Sequence, residues 1–279
     1  MEQSKKLTLK RTANNIRLGI IEAVYNAACG HPGGSLSIAD VLTYLYFEEM
    51  NIDPKNPQDP GRDRFVLSKG HTAPALYSTL AERGFFDKEE LKTLRKTASR
   101  LQGHPDMKGV PGVDMSTGSL GLGFSAACGM ALSAKVSGDS YRVYSALGDG
   151  ESEEGQVWEA AMFASHYKLD NLVAIIDLNG LQIDGPITEV MNPMPHDEKL
   201  RAFGWHVITI NAHDFDEIEA AFKEARTVVG KPTAIIAKSV KGKGVSYMEN
   251  ACEWHGQAPK TDLYEVAVAD LKKIEEELK

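Results

Sequence analysis

The stretch that decides the fold is YRVYSALGDGESEEGQVWEAAMFASHYKLDNLVAIIDLNG, residues 141–180. Residues 141–147 and 172–177 are apolar and predict two strands, and residues 153–169 between them have the spacing of an amphipathic helix. The second strand is continuously apolar, as is typical of a strand covered on both faces of a sheet. A strand–helix–strand unit of this length brings the carboxyl ends of both strands to one edge of a parallel sheet.

The rest of the chain repeats this alternation. Apolar runs predict further strands, and amphipathic or small-residue stretches predict helices. The predicted strands are 65–67, 206–210 and 233–237. The predicted helices are 9–28, a second helix capped by Ser37, 119–134, a short helix near Asp197, 215–228 and 261–279. This order indicates an α/β fold with three layers, in which helices cover both faces of a doubly wound parallel sheet. We expect residues 1–279 to form a single domain.

Composition excludes several classes of protein. The chain has 279 residues with 31 Lys plus Arg against 39 Asp plus Glu, a net charge of −8, which disfavours a nucleic-acid binder. Residues 115–134 lack charge, but nine of the twenty are Gly, Ser or Thr, so they make a poor membrane span. The three cysteines include no CxxC pair, and no apolar signal core follows the first residues. We therefore expect a cytoplasmic protein with no nucleic-acid or membrane partner.

Gly148-Asp149-Gly150 and Asn179 carry the first sign of chemistry. Asp149 follows one predicted strand directly, and Asn179 lies thirty positions later, directly after the next. Their carboxylate and amide oxygens should lie side by side at the sheet edge where open α/β folds bind ligands. Such hard oxygen donors suit Mg²⁺ or Ca²⁺. Gly150 lets the backbone approach a phosphate, and the N–H groups that follow are anion donors. The pattern therefore predicts a metal–diphosphate site.

Two competing glycine motifs do not fit. A dinucleotide fingerprint would require a third glycine where Glu153 stands, and a P-loop would require lysine where Gln156 stands. The tripeptide alone is also compatible with a simple turn at the end of a strand.

The Gly-Asp-Gly…Asn pattern resembles the thiamin diphosphate motif, and further segments resemble transketolase. These are Gly30-His31-Pro32-Gly33-Gly34, the run from Asp63 to His71, Gly103-His104-Pro105, Pro111-Gly112-Val113 with Ser116-Thr117-Gly118-Ser119-Leu120-Gly121, Lys241-Gly242-Lys243-Gly244-Val245 and Trp254-His255. The resemblance runs from about residue 10 to 260 and covers only the family's N-terminal, diphosphate-binding domain. It is similar to one subunit of the split form of the enzyme, whose pyrimidine-binding and C-terminal domains are expected on a partner chain.

The resemblance implies roles for individual residues. Asp149, Asn179 and the backbone carbonyl of Leu181 would bind Mg²⁺, or Ca²⁺ or Mn²⁺. The cofactor contacts would be His71, Gly118, Ser119, Leu120, Gly148, Asp149, Gly150, Glu151, Asn179 and His255. The catalytic residues would be His31, His71, His104 and His255, with Glu154 in a carboxylate network that links two active sites. Ser119 stands where the family often has proline. Lys69 and the run Lys238…Lys241…Lys243 are candidates for holding an anion, or equally for solvated loops.

The resemblance implies transfer of a two-carbon ketol unit from a ketose phosphate to an aldose phosphate. We expect activity only with a C-terminal subunit, in an assembly of two copies of each chain. Three alternatives stay open. One is another thiamin diphosphate enzyme, similar to deoxyxylulose phosphate synthase or to the α-subunit of an α-keto acid dehydrogenase. Another is a split transketolase acting on an unusual sugar. The third is a non-catalytic binding module.

Overall fold

The computed structural model describes residues 1–279, and its centre is a five-stranded sheet. The strands are β1 (Arg64–Leu67), β2 (Val143–Gly148), β3 (Leu172–Leu178), the short β4 (Leu181–Gln182) and β5 (Gly185–Pro186), β6 (His206–Asn211) and β7 (Thr233–Lys238). The sheet order is β1-β2-β3-β7-β6, and every neighbouring pair is parallel. The remaining strands, β4 and β5, form a separate antiparallel pair.

Helices cover both faces of this sheet. They are α1 (Gln3–Ala27), α2 (Pro32–Ser37), α3 (Ala39–Tyr44), α4 (Ala73–Arg83), α5 (Leu122–Ser137), α6 (Gly155–His166), α7 (Ile187–Val190), α8 (His196–Ala202), α9 (Phe215–Thr227) and α10 (Thr261–Glu277). The larger apolar core joins α1, α3, α4, α9 and α10 to one face, and the smaller core joins α5, α6 and α8 to the other. The prediction of a three-layer α/β fold with a parallel sheet is confirmed.

Strand register places the candidate residues. Gly148 at the end of β2 pairs with Asp177 near the end of β3, and Asp177 pairs with Ala237 of β7. Asp149 and Asn179 therefore leave adjacent strands at the same carboxyl edge, as the spacing predicts.

Two local predictions differ from the structure. The helix predicted over residues 153–169 is shorter in the structure: α6 spans Gly155–His166, and a 3₁₀ turn, Gly150–Glu153, precedes it. The predicted cap at Ser37 is wrong: Ser37 ends α2, and its hydroxyl donates to the carbonyl of Gly34 and to the Asp177 carboxylate. The N-cap position of α3 is held by Ile38, and the Ser37 side chain is directed instead at the buried carboxylate of Asp177, a strong acceptor.

None of the helices combines the length and the apolar character needed to cross a lipid bilayer.

Candidate functional site

The carboxyl edge of the sheet opens into a cavity of about 220 Å³. Its walls come from the loops after β1, β2, β3 and β7, from α2 and from the segment around His255. The lining residues are Gly34, Lys69, His71, Gly118, Leu120, Gly148, Asp149, Gly150, Glu151, Asn179, Leu181, Gln182, Ile183, Lys241 and His255. Most of the residues predicted to bind cofactor and metal thus face one space.

Asp149 is a buried carboxylate that lacks a positively charged partner. It is 2% exposed, and its two oxygens accept the backbone N–H groups of Gly150 at 2.9 Å and Gly180 at 2.6 Å. Burial, together with the nearby Asp177 carboxylate, raises its pKa to about 6. A divalent cation would supply the missing charge, so the residue fits the metal predicted for it.

The other two predicted ligands, Asn179 and the carbonyl of Leu181, lie directly after β3. The Asn179 amide oxygen accepts the backbone N–H of Leu181 at 3.1 Å, and the Leu181 carbonyl accepts the Lys241 ammonium at 3.0 Å. The donor set is one carboxylate, one amide oxygen and one backbone carbonyl, which are the oxygen ligands that Mg²⁺ and Ca²⁺ prefer. The carbonyl already interacts with a positive charge, which shows that it faces the cavity and not the core.

Lys241 turns its ammonium into this cavity although the side chain is 1% exposed. It donates to the Leu181 carbonyl and to His255 Nδ1 at 2.9 Å. Burial lowers its pKa to about 8. Since Lys241 can only donate, Nδ1 of His255 accepts and the proton of the neutral ring is held on Nε2. The basic run singled out in the sequence therefore contributes one buried cation to the site.

Three of the predicted histidines form a cluster. The ring centroids of His31, His71 and His255 are 5.2–5.5 Å apart. Burial, reinforced by nearby cations, lowers the pKa of His31 to about 4 and that of His255 to about 3, and lowers the pKa of His71 as well. The cluster is neutral at pH 7. His31 Nδ1 is buried and has no hydrogen-bond partner in the chain.

His104 lies at the rim of the site. It is exposed, and its pKa is lowered by partial burial and by Arg95. A Cβ atom added to Gly118 would lie 3.2 Å from the His104 ring, and Gly118 has φ +154°, a backbone conformation that favours glycine. The absence of a side chain at Gly118 therefore lets the histidine approach the cavity wall.

Glu151 faces the cavity, but its hydrogen bonds give it a structural role. One oxygen accepts Gly121 N and the other Gly148 N, each at 2.9 Å, and Ser68 Oγ donates to the carboxylate as well. These bonds hold three loops around the site and explain why the chain makes a 3₁₀ turn at this point before entering α6.

Three of the predicted site residues besides His104 do not line the cavity. His31 is half-buried and contacts His71 and His255 without lining the cavity, and Ser119 and Glu154 are exposed. Glu154 stands at the start of α6 with no intramolecular hydrogen bond from its side chain. Sequence reasoning missed Gly34, Gln182, Ile183 and the buried Asp177. Gly34 belongs to the quoted Gly30–Gly34 motif, and Gln182 and Ile183 follow a predicted ligand directly, so proximity along the chain was a usable signal for them.

Comparisons with known proteins agree with this geometry. The family model described as "Transketolase, thiamine diphosphate binding domain" matches residues 8–274. The 6-deoxy-6-sulfo-D-fructose transketolase subunit of Clostridium sp. (strain MSTE9) is 48% identical over 96% of this chain and 98% of its own length. One of the subunits of apulose-4-phosphate transketolase from Phocaeicola vulgatus is 44% identical over 97% of this chain and 96% of its own.

Single-chain transketolases are similar over a smaller part of their length. Human transketolase is 45% identical over 97% of this chain but 43% of its own. The crystal structure of transketolase from Campylobacter jejuni superposes with a TM-score of 0.90 at 33% identity, covering 98% of this chain and 43% of that one. The chain thus spans somewhat less than half of these proteins and nearly all of the two subunits. It belongs to the transketolase family and corresponds to the thiamine diphosphate binding domain of that family.

Proposed function

We propose that this chain is the N-terminal subunit of a two-chain transketolase, which binds thiamin diphosphate and a divalent metal and transfers a two-carbon ketol unit from a ketose to an aldose. The observation that carries the proposal is the single cavity in which the uncompensated carboxylate of Asp149 lies beside a neutral histidine cluster. Matches to two transketolase subunits over almost their whole length support it.

We assign the metal to Asp149, Asn179 and the Leu181 carbonyl, and Mg²⁺, Ca²⁺ or Mn²⁺ suits these oxygens. The diphosphate would meet Gly150, His71, His255 and the ammonium of Lys241, which already faces the cavity. Such charges reduce the cost of burying a polyanion. Bound thiamin diphosphate supplies the electron sink that permits a C–C bond next to a ketose carbonyl to break.

The histidines position the sugar through hydrogen bonds to its hydroxyl groups. A neutral imidazole can donate from one nitrogen and accept at the other, and the low pKa of His31 and His255 keeps both rings neutral over the physiological range. Lys241 fixes which nitrogen of His255 carries the proton. His31 does not line the cavity, but its ring packs against those of His71 and His255, so we assign it to orienting the two rings that do.

The partner would carry the pyrimidine-binding and C-terminal domains, and two copies of each chain would assemble. Glu154, exposed and unbonded at the start of α6, is available for the carboxylate network proposed to link two sites. Leu122 of α5 and Met162 of α6 are about half exposed, at 51% and 52%, as an interface between copies would require. We place the assembly in the cytoplasm, because the three cysteines are free thiols.

A second candidate concerns the substrate. The two subunits described above are named for unusual sugars, 6-deoxy-6-sulfo-D-fructose and apulose 4-phosphate. We therefore include a sulfonated ketose and a branched ketose phosphate as donors beside the common ketose phosphates.

Reconstitution tests the proposal. The chain is mixed with a candidate C-terminal subunit, thiamin diphosphate and Mg²⁺, and ketol transfer is assayed with each donor. We expect activity from the pair and negligible activity from either chain alone. Full activity of the lone chain would contradict the two-chain assignment. Thiamin diphosphate binding without transfer by any pair would favour the non-catalytic binding module. Turnover of an α-keto acid would favour the dehydrogenase alternative.

A further inference from the structure

Asp177 is the most heavily hydrogen-bonded carboxylate in the molecule, and the proposed mechanism does not use it. It is 1% exposed. Oδ2 accepts Lys69 Nζ at 2.5 Å, Ser37 Oγ at 2.6 Å and Asn179 Nδ2 at 3.3 Å, and Oδ1 accepts the hydroxyl of Ser239. Lys69 also donates to the Gly34 carbonyl at 2.9 Å. The loops after β1, β3 and β7 and helix α2 therefore converge on this one carboxylate.

Lys69 sets the hydrogen-bonding character of Asp177. Its ammonium, which can only donate, lies 2.5 Å from Oδ2 of Asp177, so this ion-paired oxygen is an acceptor. Oδ2 is also the oxygen that faces the side chain of Asn179.

This restriction decides how Asn179 is oriented. The two ends of an asparagine amide have nearly the same shape, so packing alone does not choose between them, and hydrogen-bond partners do. Because Asp177 only accepts, Asn179 must turn its NH₂ group to it. Oδ1 then faces the other way, where it accepts Leu181 N at 3.1 Å, beside the third proposed metal ligand.

We propose that the buried Lys69–Asp177 ion pair is a positioning element that fixes the amide of Asn179 with its oxygen toward the divalent cation. Ser37 and Ser239 lock the carboxylate in place from two other segments. The inference rests on the proposed function in one respect, the assignment of Asn179 as a metal ligand. Asp177 does not line the cavity, and the Lys69 ammonium, although Lys69 lines it, is held by Asp177 and the Gly34 carbonyl, so the pair acts through Asn179.

Asp177→Asn tests the inference because the new side chain has the same size but can both donate and accept. It therefore no longer selects one orientation of Asn179. With saturating thiamin diphosphate, we expect the affinity for Mn²⁺, measured by electron paramagnetic resonance, to fall about 10- to 100-fold, the range for loss of a partner that orients a ligand. Thermal unfolding is measured in parallel.

Glu49→Gln is the matched control. Glu49 is also a buried carboxylate, bonded to Tyr144 Oη at 2.7 Å and to Arg226 Nε at 2.9 Å, and it contacts no site residue. We expect it to lose stability while Mn²⁺ affinity stays at the wild-type value. A general loss of folding would lower both quantities in both variants, whereas a positioning role separates them.

A second variant tests the inference if Asp177→Asn does not fold. The double change Ser37→Ala, Ser239→Ala keeps the ion pair but frees the carboxylate to rotate, and we expect a several-fold loss of Mn²⁺ affinity. If the wild-type chain binds Mn²⁺ and these variants bind it equally well, the positioning role is refuted and the pair is only structural. If the wild-type chain with thiamin diphosphate binds no Mn²⁺, the metal assignment of the proposed function fails first.

Discussion

Asp40 and Asp149 are both almost inaccessible to water, yet the chain treats them in opposite ways. Asp40 accepts both terminal nitrogens of Arg17, at 3.1 and 2.5 Å, and His213 Nδ1 at 2.7 Å. Burial would raise its pKa, but these partners hold the pKa far below its usual value. Asp149 receives only backbone N–H groups, and burial raises its pKa to about 6. The first carboxylate is compensated by the chain, and the second is left for a ligand to compensate.

The same contrast extends to the positive groups. Arg17 pairs with Asp40, whereas Lys241 has no carboxylate partner and donates to a carbonyl and an imidazole. A chain that leaves both a buried carboxylate and a buried ammonium unpaired in one cavity loses stability by doing so. A ligand that carries both a cation and an anion, as a metal diphosphate does, would supply a partner of opposite charge to each of these two groups.

The largest effect should follow from removing the compensated carboxylate. Asp40→Asn leaves the buried Arg17 without a counter-charge, and breaking such a pair costs about 3–5 kcal/mol. Urea unfolding of the ligand-free chain would measure it. Asp197→Asn removes an exposed pair with Arg201 and should cost no more than about 1 kcal/mol. Equal losses of stability in the two variants would contradict the distinction between a buried and an exposed ion pair.

The stability lost in Asp40→Asn should also depend on pH. The folded state lowers the pKa of Asp40, so the stability it contributes is complete above the unfolded pKa of about 3.9 and is lost as pH falls below it. The difference in stability between wild type and Asp40→Asn should therefore shrink as pH falls below about 4. A difference that grows on acidification would have the wrong sign.

Asp149→Asn should reduce ligand binding much more than it reduces the stability of the chain. Removing the unpaired charge lowers its cost of burial but leaves the N–H of Gly150 or Gly180 without an acceptor, so the stability of the ligand-free chain should change much less than in Asp40→Asn. Mg²⁺-dependent binding of thiamin diphosphate should fall by at least about 100-fold. A change in a residue that merely orients a ligand already costs about 10–100-fold, so loss of a charged ligand should exceed that. Titration calorimetry with and without Mg²⁺ measures the binding. Asp184→Asn, an exposed change in the turn between β4 and β5, is the control and should bind as wild type.

The two aspartates also show what sequence reasoning can and cannot reach. Asp149 was predictable because strand ends in a parallel sheet have a fixed geometry, so a spacing of thirty residues specifies a position in space. Asp40 was not, since its partners Arg17 and His213 come from distant parts of the chain and no short-range pattern links them. The prediction for Ser37 failed for the same reason, because Asp177, its actual partner, is 140 positions away.

Lys241 was predicted only as one member of a basic run. The sequence could not show that this lysine is buried while Lys243 is half-buried and pairs with Glu249. That difference depends on how the loop after β7 folds against α2, where Gly242 N donates to the Gly33 carbonyl at 2.9 Å. The resemblance to transketolase named the site residues, and the structure shows which of them share a cavity.

Lys241→Gln should weaken thiamin diphosphate binding by about 10-fold in the presence of Mg²⁺, because a charge-assisted hydrogen bond contributes about 1.5–3 kcal/mol and glutamine retains part of it. The control is Lys243→Gln, which removes a charge from the same loop and should change the affinity by less than twofold. If the two variants weaken binding equally, Lys241 acts through general electrostatics and not through its place in the cavity.

The smallest effect concerns His31. Its folded pKa of about 4 lies below the unfolded value of 6.5, so the unfolded chain binds a proton first as pH falls, and stability declines from about pH 6.5 downward. Because the ring is partly exposed, we discount the effect to roughly 1 kcal/mol, a few degrees in Tm for a chain of this size. His31→Gln should therefore lose less Tm than wild type between pH 7 and 5. His166→Gln, at an exposed histidine, should follow the wild-type curve.

The pH at which His31 begins to reduce stability lies above the pH at which Asp40 begins to lose its contribution. The effects of the two residues can therefore be separated in one pH titration. If His31→Gln falls as steeply as wild type, the neutral cluster is not what makes the site sensitive to acid.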